Sequence, residues 1–127
     1  MDAQIKADLV AALRSGEYYQ AKNFLHVRRD NQSSYCCLGV LCKVMGAEFE
    51  EFTDPDDGEI DFLNRPVLNG VSLAALHDEE LSNETLAKVG LTQADQSKLI
   101  QMNDGCDVQN IKRHSFAEIA DYIEANL

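Results

Sequence analysis

The longest nearly continuous apolar run covers residues 35–46, and only Gly39 and Lys43 break it. A segment that is apolar on every side cannot be a surface helix with one wet face, so its neighbours must cover it. The run is too short to span a bilayer, which takes about 20 residues in a helix. It therefore predicts a buried central element that contains a short helix at residues 38–45.

Gly39 lies inside this predicted helix, where a glycine is about 1 kcal/mol less favourable than an alanine. A close approach of another backbone would explain why a side chain is missing there. We therefore expect a second element to touch the helix at Gly39.

The N-terminal segment predicts an amphipathic helix that packs against the core. Asp2 is a candidate N-cap, and Gly16 suits a position just past the C-terminal end. One face of this helix would carry the apolar residues at helical spacing, which are Ile5, Leu9, Val10 and Leu13.

The C-terminal half predicts three further helices. One covers residues 83–89 and ends at Gly90, and the next starts at Thr92 and is stopped by residues 103–105. The last helix begins at a capping-box sequence at Ser115. Its buried stripe would consist of Phe116, Ile119, Ala120 and Ile123.

Two short β-prone runs, at residues 24–27 and 33–36, flank a polar turn around Asp30 and Asn31 and predict a hairpin. The acid-rich residues 47–64 predict a surface loop that leads to a short strand at residues 60–63. Beyond Pro66 we expect short helical pieces or turns that carry Leu73, Leu76 and Leu81.

These elements predict an α+β fold. The chain would form a single compact, helix-rich domain over residues 1–127, with a short β-hairpin or small antiparallel sheet packed on helices. The length is enough for one hydrophobic core without disulfides or metals.

The net charge is −11 and is unevenly distributed. Residues 1–43 hold six Lys or Arg against four Asp or Glu, whereas residues 44–127 hold five against eighteen. This acidity disfavours nucleic acids and anionic membrane surfaces as partners and favours basic ones. Between the last two predicted helices, only Lys112 and Arg113 could meet phosphate, which is too few for DNA binding.

The N-terminal residues show neither a signal peptide nor a membrane span. We therefore expect a cytoplasmic protein, in which cysteines stay reduced. The four cysteines lack the paired spacing of a structural zinc site, so they are interpreted as small buried hydrophobic residues, with no metal or cofactor.

A catalytic thiol is the alternative for this region. Cys36 or Cys37 would lie at the N-terminus of the predicted helix, where a thiol pKa can be lowered, and His26 on the neighbouring strand could act as the base. No nucleophile signature accompanies these residues.

The acidic segment resembles an EF-hand loop when Gly58 is aligned at the sixth position. Thr53 then replaces the first Asp, Pro55 stands where the third position needs an oxygen, and Asn64 replaces the bidentate Glu, so a solvated acidic loop is the interpretation. This loop and the hairpin tip at Arg28 and Arg29 are the predicted partner-binding surfaces. The acidic candidates are Asp54, Asp56, Asp57 and Glu59.

Two stretches carry a family resemblance: the segments at residues 12–20 (Ala-Leu-Arg-Ser-Gly-Glu-Tyr-Tyr-Gln) and 35–42 (Tyr-Cys-Cys-Leu-Gly-Val-Leu-Cys). With Asn103-Asp104 and the pattern Phe-x-x-Ile-Ala-x-x-Ile-Glu from Phe116, the chain resembles a group of small uncharacterised bacteriophage proteins. The connection at residues 105–114 is longer than is usual in that group. The resemblance implies a phage origin and a bacterial host cell, and it implies no catalytic residues.

The function expected from the sequence is that of an acidic, non-enzymatic accessory protein that binds a host or phage protein, with mimicry of nucleic acid as one version. The alternative is a thiol-dependent enzyme or small-ligand-binding protein that uses Cys36 or Cys37.

Overall fold

The structure is a computed structural model, and it describes residues 1–53, 62–75 and 80–127. This part of the chain forms five α-helices and six β-strands. The helices are α1 (Ala3–Arg14), α2 (Cys37–Val44), α3 (Asn83–Val89), α4 (Gln93–Asp104) and α5 (Phe116–Asn126). The strands are β1 (Tyr19–Gln20), β2 (His26–Arg29), β3 (Gln32–Tyr35), β4 (Glu48–Thr53), β5 (Phe62–Leu68) and β6 (Val71–Ser72).

The strands form one mixed sheet in the order β1-β3-β2-β5-β4, with β6 paired to β5. The pairing of β1 with β3 is parallel, and the other pairings are antiparallel. The predicted hairpin is confirmed as β2 and β3. Asp30 and Asn31 both have positive φ, at 50° and 65°, as a two-residue type I′ turn requires.

Helix α2 lies at the centre of the molecule, as the apolar run predicts. Leu38, Val40 and Leu41 are at most 1% exposed. A Cβ atom built on Gly39 would lie 1.8 Å from the backbone oxygen of Leu25, so the expected close approach is present and comes from the residue before β2. Only glycine fits this contact without moving one of the two backbones.

The outer helices begin and end close to where the sequence predicts. The side chain of Asp2 accepts a hydrogen bond from the Ile5 amide at the start of α1, and capping boxes start α4 at Thr92 and α5 at Ser115. Arg14 at the end of α1 forms ion pairs of 2.7 and 2.9 Å with Asp121 and Glu124 of α5. The predicted buried stripe of α5 is confirmed at Phe116, Ile119, Ala120 and Ile123.

The interpretation of residues 47–64 as a surface loop is wrong for its first part. Residues 48–53 form strand β4, in which Glu48 and Glu50 are exposed while Phe49 is half-buried against the core. Exposed and buried side chains that alternate in this way are typical of a half-buried strand. The many acidic residues favoured the interpretation as a loop. The candidate residues Asp54, Asp56, Asp57 and Glu59, and most of the segment compared with a calcium loop, lie outside the described residues.

The expectation of short helical pieces or turns after Pro66 is wrong for residues 66–72. The chain continues as β5 through Pro66 to Leu68 and returns as β6. Leu73 and Leu81 are buried and lie outside the helices, next to or within a bridge between Ala74 and Leu81, so the helical alternative for them is wrong. Leu76 lies outside the described residues.

The result is a compact, helix-rich α+β domain in which helices cover a small sheet, as the sequence predicts. In the described ranges, no helix has the length and apolar character that a membrane crossing requires.

Candidate functional site

A cleft of about 370 Å³ opens beside the connection between β1 and β2. It is bordered by the hairpin on one side and by the segment that follows α4 on the other. Its polar lining residues are Gln20, Lys22, Asn23, Arg29, Ser34 and Arg113, and we call it the cationic cleft.

The charge of this cleft is opposite to that of the protein as a whole. Lys22, Arg29 and Arg113 line it, and none of its described lining residues is an Asp or Glu. The chain carries a net charge of −11, so the charge of this concave site differs in sign from that of the whole protein. Concave sites of one sign of charge concentrate oppositely charged ligands.

The guanidinium group of Arg113 is fixed by neutral partners. Its Nε donates to the backbone oxygen of Asn103 at 3.0 Å, and its Nη2 donates to the backbone oxygen of Gln20 at 3.2 Å. In the part of the chain that the structure describes, the ion pairs within 4.0 Å are both made by Arg14. Arg113 is therefore held in place and forms no ion pair within 4.0 Å with a described carboxylate, while Asp104 and Asp107 line a neighbouring cavity together with it.

Beneath the cleft, the side chain of Asn103 is fully buried and makes four hydrogen bonds. Its Oδ1 accepts from Gln20 Nε2 at 3.0 Å and from the Cys37 amide at 3.2 Å. Its Nδ2 donates to the Ala21 oxygen at 2.7 Å and to Asp104 Oδ1 at 2.8 Å. A buried carboxamide with all its donors and acceptors satisfied rigidifies its surroundings, so Asn103 holds two lining residues of the cleft, Gln20 and Ala21, in place.

Residues 105–113 return to the cleft because of the sharp end of α4. Gly105 has a φ of 73°, and a Cβ atom there would lie 3.0 Å from the Arg113 amide nitrogen and 3.1 Å from the Ile111 oxygen. A bridge between Cys106 and Ile111 closes the loop. A side chain at Gly105 would be strained by the positive φ and would press on the backbone of Ile111 and Arg113, so this turn helps to position Arg113.

Asp104 connects the same network to the loop at the mouth of the cleft. Its Oδ1 accepts a hydrogen bond from the Asn23 amide at 3.2 Å, and Asn23 has a left-handed φ of 71°. Asp104 borders two adjoining cavities, of about 50 and 240 Å³, rather than the cleft itself. The carboxylate thus shapes the loop that carries Lys22 without lining the cationic cleft.

The thiols of the central run do not have the environment of nucleophiles. Cys36 is the N-cap of α2, as predicted, but burial raises its pKa to about 12 and raises the pKa of Cys37 well above the usual value. A nucleophilic thiol needs a lowered pKa. Cys36, Cys37 and Cys42 are buried core residues, as the sequence predicts, whereas Cys106 is partly exposed.

His26 is too weakly basic to be an effective general base near neutral pH. It is packed between the rings of Tyr35 and Phe49, with centroids at 4.5 and 4.8 Å. Burial, together with the charges of Lys43 and Arg28, lowers its pKa to about 4. His26 is therefore neutral, and a weak proton acceptor, at neutral pH.

Of the predicted partner-binding residues, the structure brings Arg29 into the cleft, while Arg28 lies beside it on β2 and is half-buried. The roles of Gln20 and Asn103 were not predicted from the sequence. A signal was present at Asn103, because this polar residue falls on the same face of α4 as the buried Gln96 and Leu99. A polar residue in a buried helical stripe indicates a specific hydrogen-bonding role.

A family model described as "Domain of unknown function (DUF8296)" matches residues 1–127. The chain therefore belongs to this family. The comparisons with curated proteins and with solved structures found no match. The family description names no activity, so inferences about function rest on the geometry of the site.

Proposed function

We propose that this member of the DUF8296 family is a binding protein that holds an anionic group of another protein in the cationic cleft. The observation that carries the proposal is that Lys22 and Arg113 line one cleft of a protein of net charge −11, with the guanidinium of Arg113 held by two backbone oxygens. Preorganised charge of this kind contributes specificity and a fast association rate.

The acidity of the rest of the molecule supports selectivity for such a partner. A long polyanion, such as DNA or an anionic membrane, would have to approach the negative surface along its whole length. A compact anionic group on an otherwise neutral or basic protein meets the cleft and avoids this repulsion. Repulsion of wrong partners is a common source of specificity.

The resemblance to bacteriophage proteins extends the proposal to the cell in which the protein acts and to the origin of its partner. The protein would act as an accessory protein in the cytoplasm of a bacterial host cell, and its partner would be a host or phage protein. The structural support for binding rather than catalysis is the raised pKa of the Cys36 thiol and the lowered pKa of His26, which are the opposite of what a thiol enzyme uses.

The test uses a charge reversal at Lys22, which is exposed and makes none of the hydrogen bonds of the Asn103 network. The bait is wild-type protein, Lys22→Glu or Lys88→Glu, each incubated with bacterial lysate under reducing conditions at low and moderate salt. Lys88 is an exposed lysine on α3 and serves as the control of equal charge change.

We expect a partner that wild-type protein and Lys88→Glu retain and that Lys22→Glu loses, with retention falling as salt rises. The partner is then identified by mass spectrometry and its affinity for all three purified proteins is measured. Equal affinity for Lys22→Glu and wild-type protein would exclude the cleft as the contact.

A second candidate function is favoured by the charge distribution. Residues 44–127 carry eighteen acidic residues against five basic ones, and Glu48 and Glu50 on β4 are exposed. In this proposal the acidic surface imitates nucleic acid and occupies a basic protein. Neutralising Asp54, Asp56 and Asp57 to asparagine should then weaken binding of the partner more than Lys22→Glu does, and unchanged binding would dismiss the mimicry.

A further inference from the structure

We infer that a second surface of the protein, beside the tip of the β2–β3 hairpin, binds an arginine side chain of a basic partner protein. The surface is an open groove of about 620 Å³, and we call it the tyrosine groove. Three tyrosines (Tyr18, Tyr19 and Tyr35) and two acidic residues (Glu17 and Asp30) line it. This inference goes beyond the proposed function, because it concerns another site and a ligand of the opposite charge.

The tyrosines give the groove aromatic surface that a cation can contact. Tyr19 is 63% exposed, which is the largest exposure of an aromatic residue where the structure describes burial. The rings of Tyr18 and Tyr35 pack edge to face, with centroids 5.4 Å apart, so these two rings are held in place before a ligand arrives. The face of an aromatic ring attracts cations, and exposed tyrosine is a common anchor of protein interfaces.

Two carboxylates give the groove a charge that complements arginine. In the described part of the chain, neither Glu17 nor Asp30 has an ion-pair partner within 4.0 Å. None of the described lining residues is a Lys, Arg or His, and the adjacent Arg29 lines the cationic cleft instead of this groove. A cationic ligand therefore meets two carboxylates and no described cation in the lining.

Both acidic residues are carried by defined backbone turns. Asp30 has a φ of 50° in the two-residue turn of the hairpin. Glu17 follows Gly16, which has a φ of 76°, and the Glu17 amide donates a hydrogen bond of 3.2 Å to Ser15 Oγ. Because the backbone at both ends of the groove is already ordered, less conformational entropy is lost on binding.

The lining favours arginine over lysine. Asn31, Gln32 and Ser33 add side-chain oxygens that accept hydrogen bonds, and a guanidinium has five N–H donors and no acceptor. A guanidinium is planar and weakly hydrated, so it can stack on a tyrosine ring while its edge donates to a carboxylate. An ammonium group is a compact and strongly hydrated point charge, which cannot make both contacts equally well.

The experiment titrates nitrogen-15-enriched wild-type protein with unlabelled peptides and follows nitrogen–proton correlation spectra. Three peptides share one neutral sequence and differ at the central residue, which is arginine, lysine or citrulline, the uncharged analogue of arginine. We expect the arginine peptide to shift the amide signals of residues 17–19 and 30–33 and to bind at least about threefold more tightly than the lysine peptide. The citrulline peptide should bind most weakly.

Matched variants separate the ring contact from the charge. Tyr19→Ala should weaken binding of the arginine peptide by about threefold to fivefold, whereas Tyr19→Phe, which keeps the ring, should stay within about twofold of wild-type protein. Asp30→Asn, which suits the same turn, should weaken binding by about threefold to fivefold at low salt and by less as salt rises. Asp8→Asn on α1 is the control of equal charge change outside the groove and should have less than about a twofold effect.

Three results would overturn the inference. Unchanged affinity in Tyr19→Ala would exclude the tyrosine groove as the site. Equal affinity for the arginine and lysine peptides, with equal losses in Asp30→Asn and Asp8→Asn, would mean that net charge alone attracts the peptides. Saturable binding of tetramethylammonium in the groove at much lower concentrations than the arginine peptide would indicate a small quaternary ammonium ligand instead of a partner protein.

The failure of this inference is distinguishable from the failure of the proposed function. Lys22→Glu tests the cationic cleft and leaves the tyrosine groove intact, because Lys22 does not line the groove. We expect this variant to retain the arginine peptide at least as tightly as wild-type protein does, to within about twofold. A larger loss in Lys22→Glu would place the arginine peptide outside the tyrosine groove.

Discussion

The central cysteine run and the cationic cleft are neighbouring regions built on opposite principles. The run at residues 35–46 contains the residue types most often associated with chemistry, yet Cys36, Cys37 and Cys42 are buried and act as packing residues. The cleft is assembled from ordinary polar residues that are far apart in the sequence, such as Gln20 and Arg113. The residue types within one stretch of sequence therefore did not locate the cleft. Its lining residues come together only in the folded chain.

The largest expected effect is a loss of stability at the central cysteine run, where Gly39 contacts the backbone of Leu25. Gly39→Ala places a methyl group against the Leu25 oxygen, with a built Cβ distance of 1.8 Å. We expect a loss of about 3–5 kcal/mol in the free energy of unfolding, measured by urea denaturation and circular dichroism, although helix propensity alone predicts a gain. Gly46→Ala is the control, because no atom lies within 4 Å there and only its φ of 89° is strained. A stabilised Gly39→Ala would contradict the close approach.

The next largest expected effect is a loss of stability at the buried hydrogen-bond network beside the cationic cleft. Asn103→Ala leaves the Cys37 amide and the Ala21 oxygen without this partner inside the protein. We expect a loss of about 2–3 kcal/mol in the free energy of unfolding, since buried groups without hydrogen bonds are costly. The control is Asn126→Ala, which removes an exposed amide that donates to the Tyr122 oxygen. Equal stability of the two variants would show that the buried network contributes nothing.

A smaller effect concerns the histidine that packs beside the cysteine run. The folded-state pKa of His26 is lowered to about 4 from the ordinary value of 6.5. Its contribution to stability is therefore fully present above pH 6.5 and is lost as the pH falls from 6.5 towards 4, because the unfolded chain takes up the proton first. Allowing for solvent screening, we expect a loss of about 1–2 kcal/mol across this window.

The measurement is the difference in unfolding free energy between wild-type protein and His26→Phe at several pH values. Subtracting the variant removes the titration of the many carboxylates that both proteins share. A difference that does not change between pH 6.5 and 4 would mean that His26 titrates normally in the folded protein.

The smallest expected effect concerns the reactivity of the cysteines, because the buried thiols of the central run should not react in the folded protein. Iodoacetamide should label the partly exposed Cys106 in the folded protein, while Cys36, Cys37 and Cys42 stay unlabelled until denaturation. Mass spectrometry of peptides from the folded and denatured protein gives the sites. Rapid labelling of Cys36 or Cys37 in the folded protein would restore the thiol-dependent alternative.

The parts of the fold that could be predicted depend on local physics. Capping boxes at Thr92 and Ser115, the turn at Asp30 and Asn31, and the close approach at Gly39 all follow from a few adjacent residues. Strand β4 was missed because its acidic residues suggested a loop, although its alternation was visible.

The cleft could not be predicted in the same way. The partners of Asn103 in β1, the following loop and α2 lie 83, 82 and 66 residues away along the chain, and no local pattern encodes such pairings. Of the predicted partner-binding residues Arg28 and Arg29, the second lines the cleft. The cationic character of the site depends on a tertiary arrangement that brings Arg29 and Arg113 to one cavity.

The buried carboxamide of Asn103 gives the molecule a built-in spectroscopic reporter. Its two Nδ2 protons are held by the Ala21 oxygen and by the Asp104 carboxylate, which itself binds the loop that carries Lys22. In a nitrogen–proton correlation spectrum, these two protons should appear as a well-resolved pair that exchanges slowly with solvent. Any ligand that shifts the loop would change the two resonances unequally, so occupancy of the cleft can be followed in nitrogen-15-enriched protein without a substitution or a chemical tag.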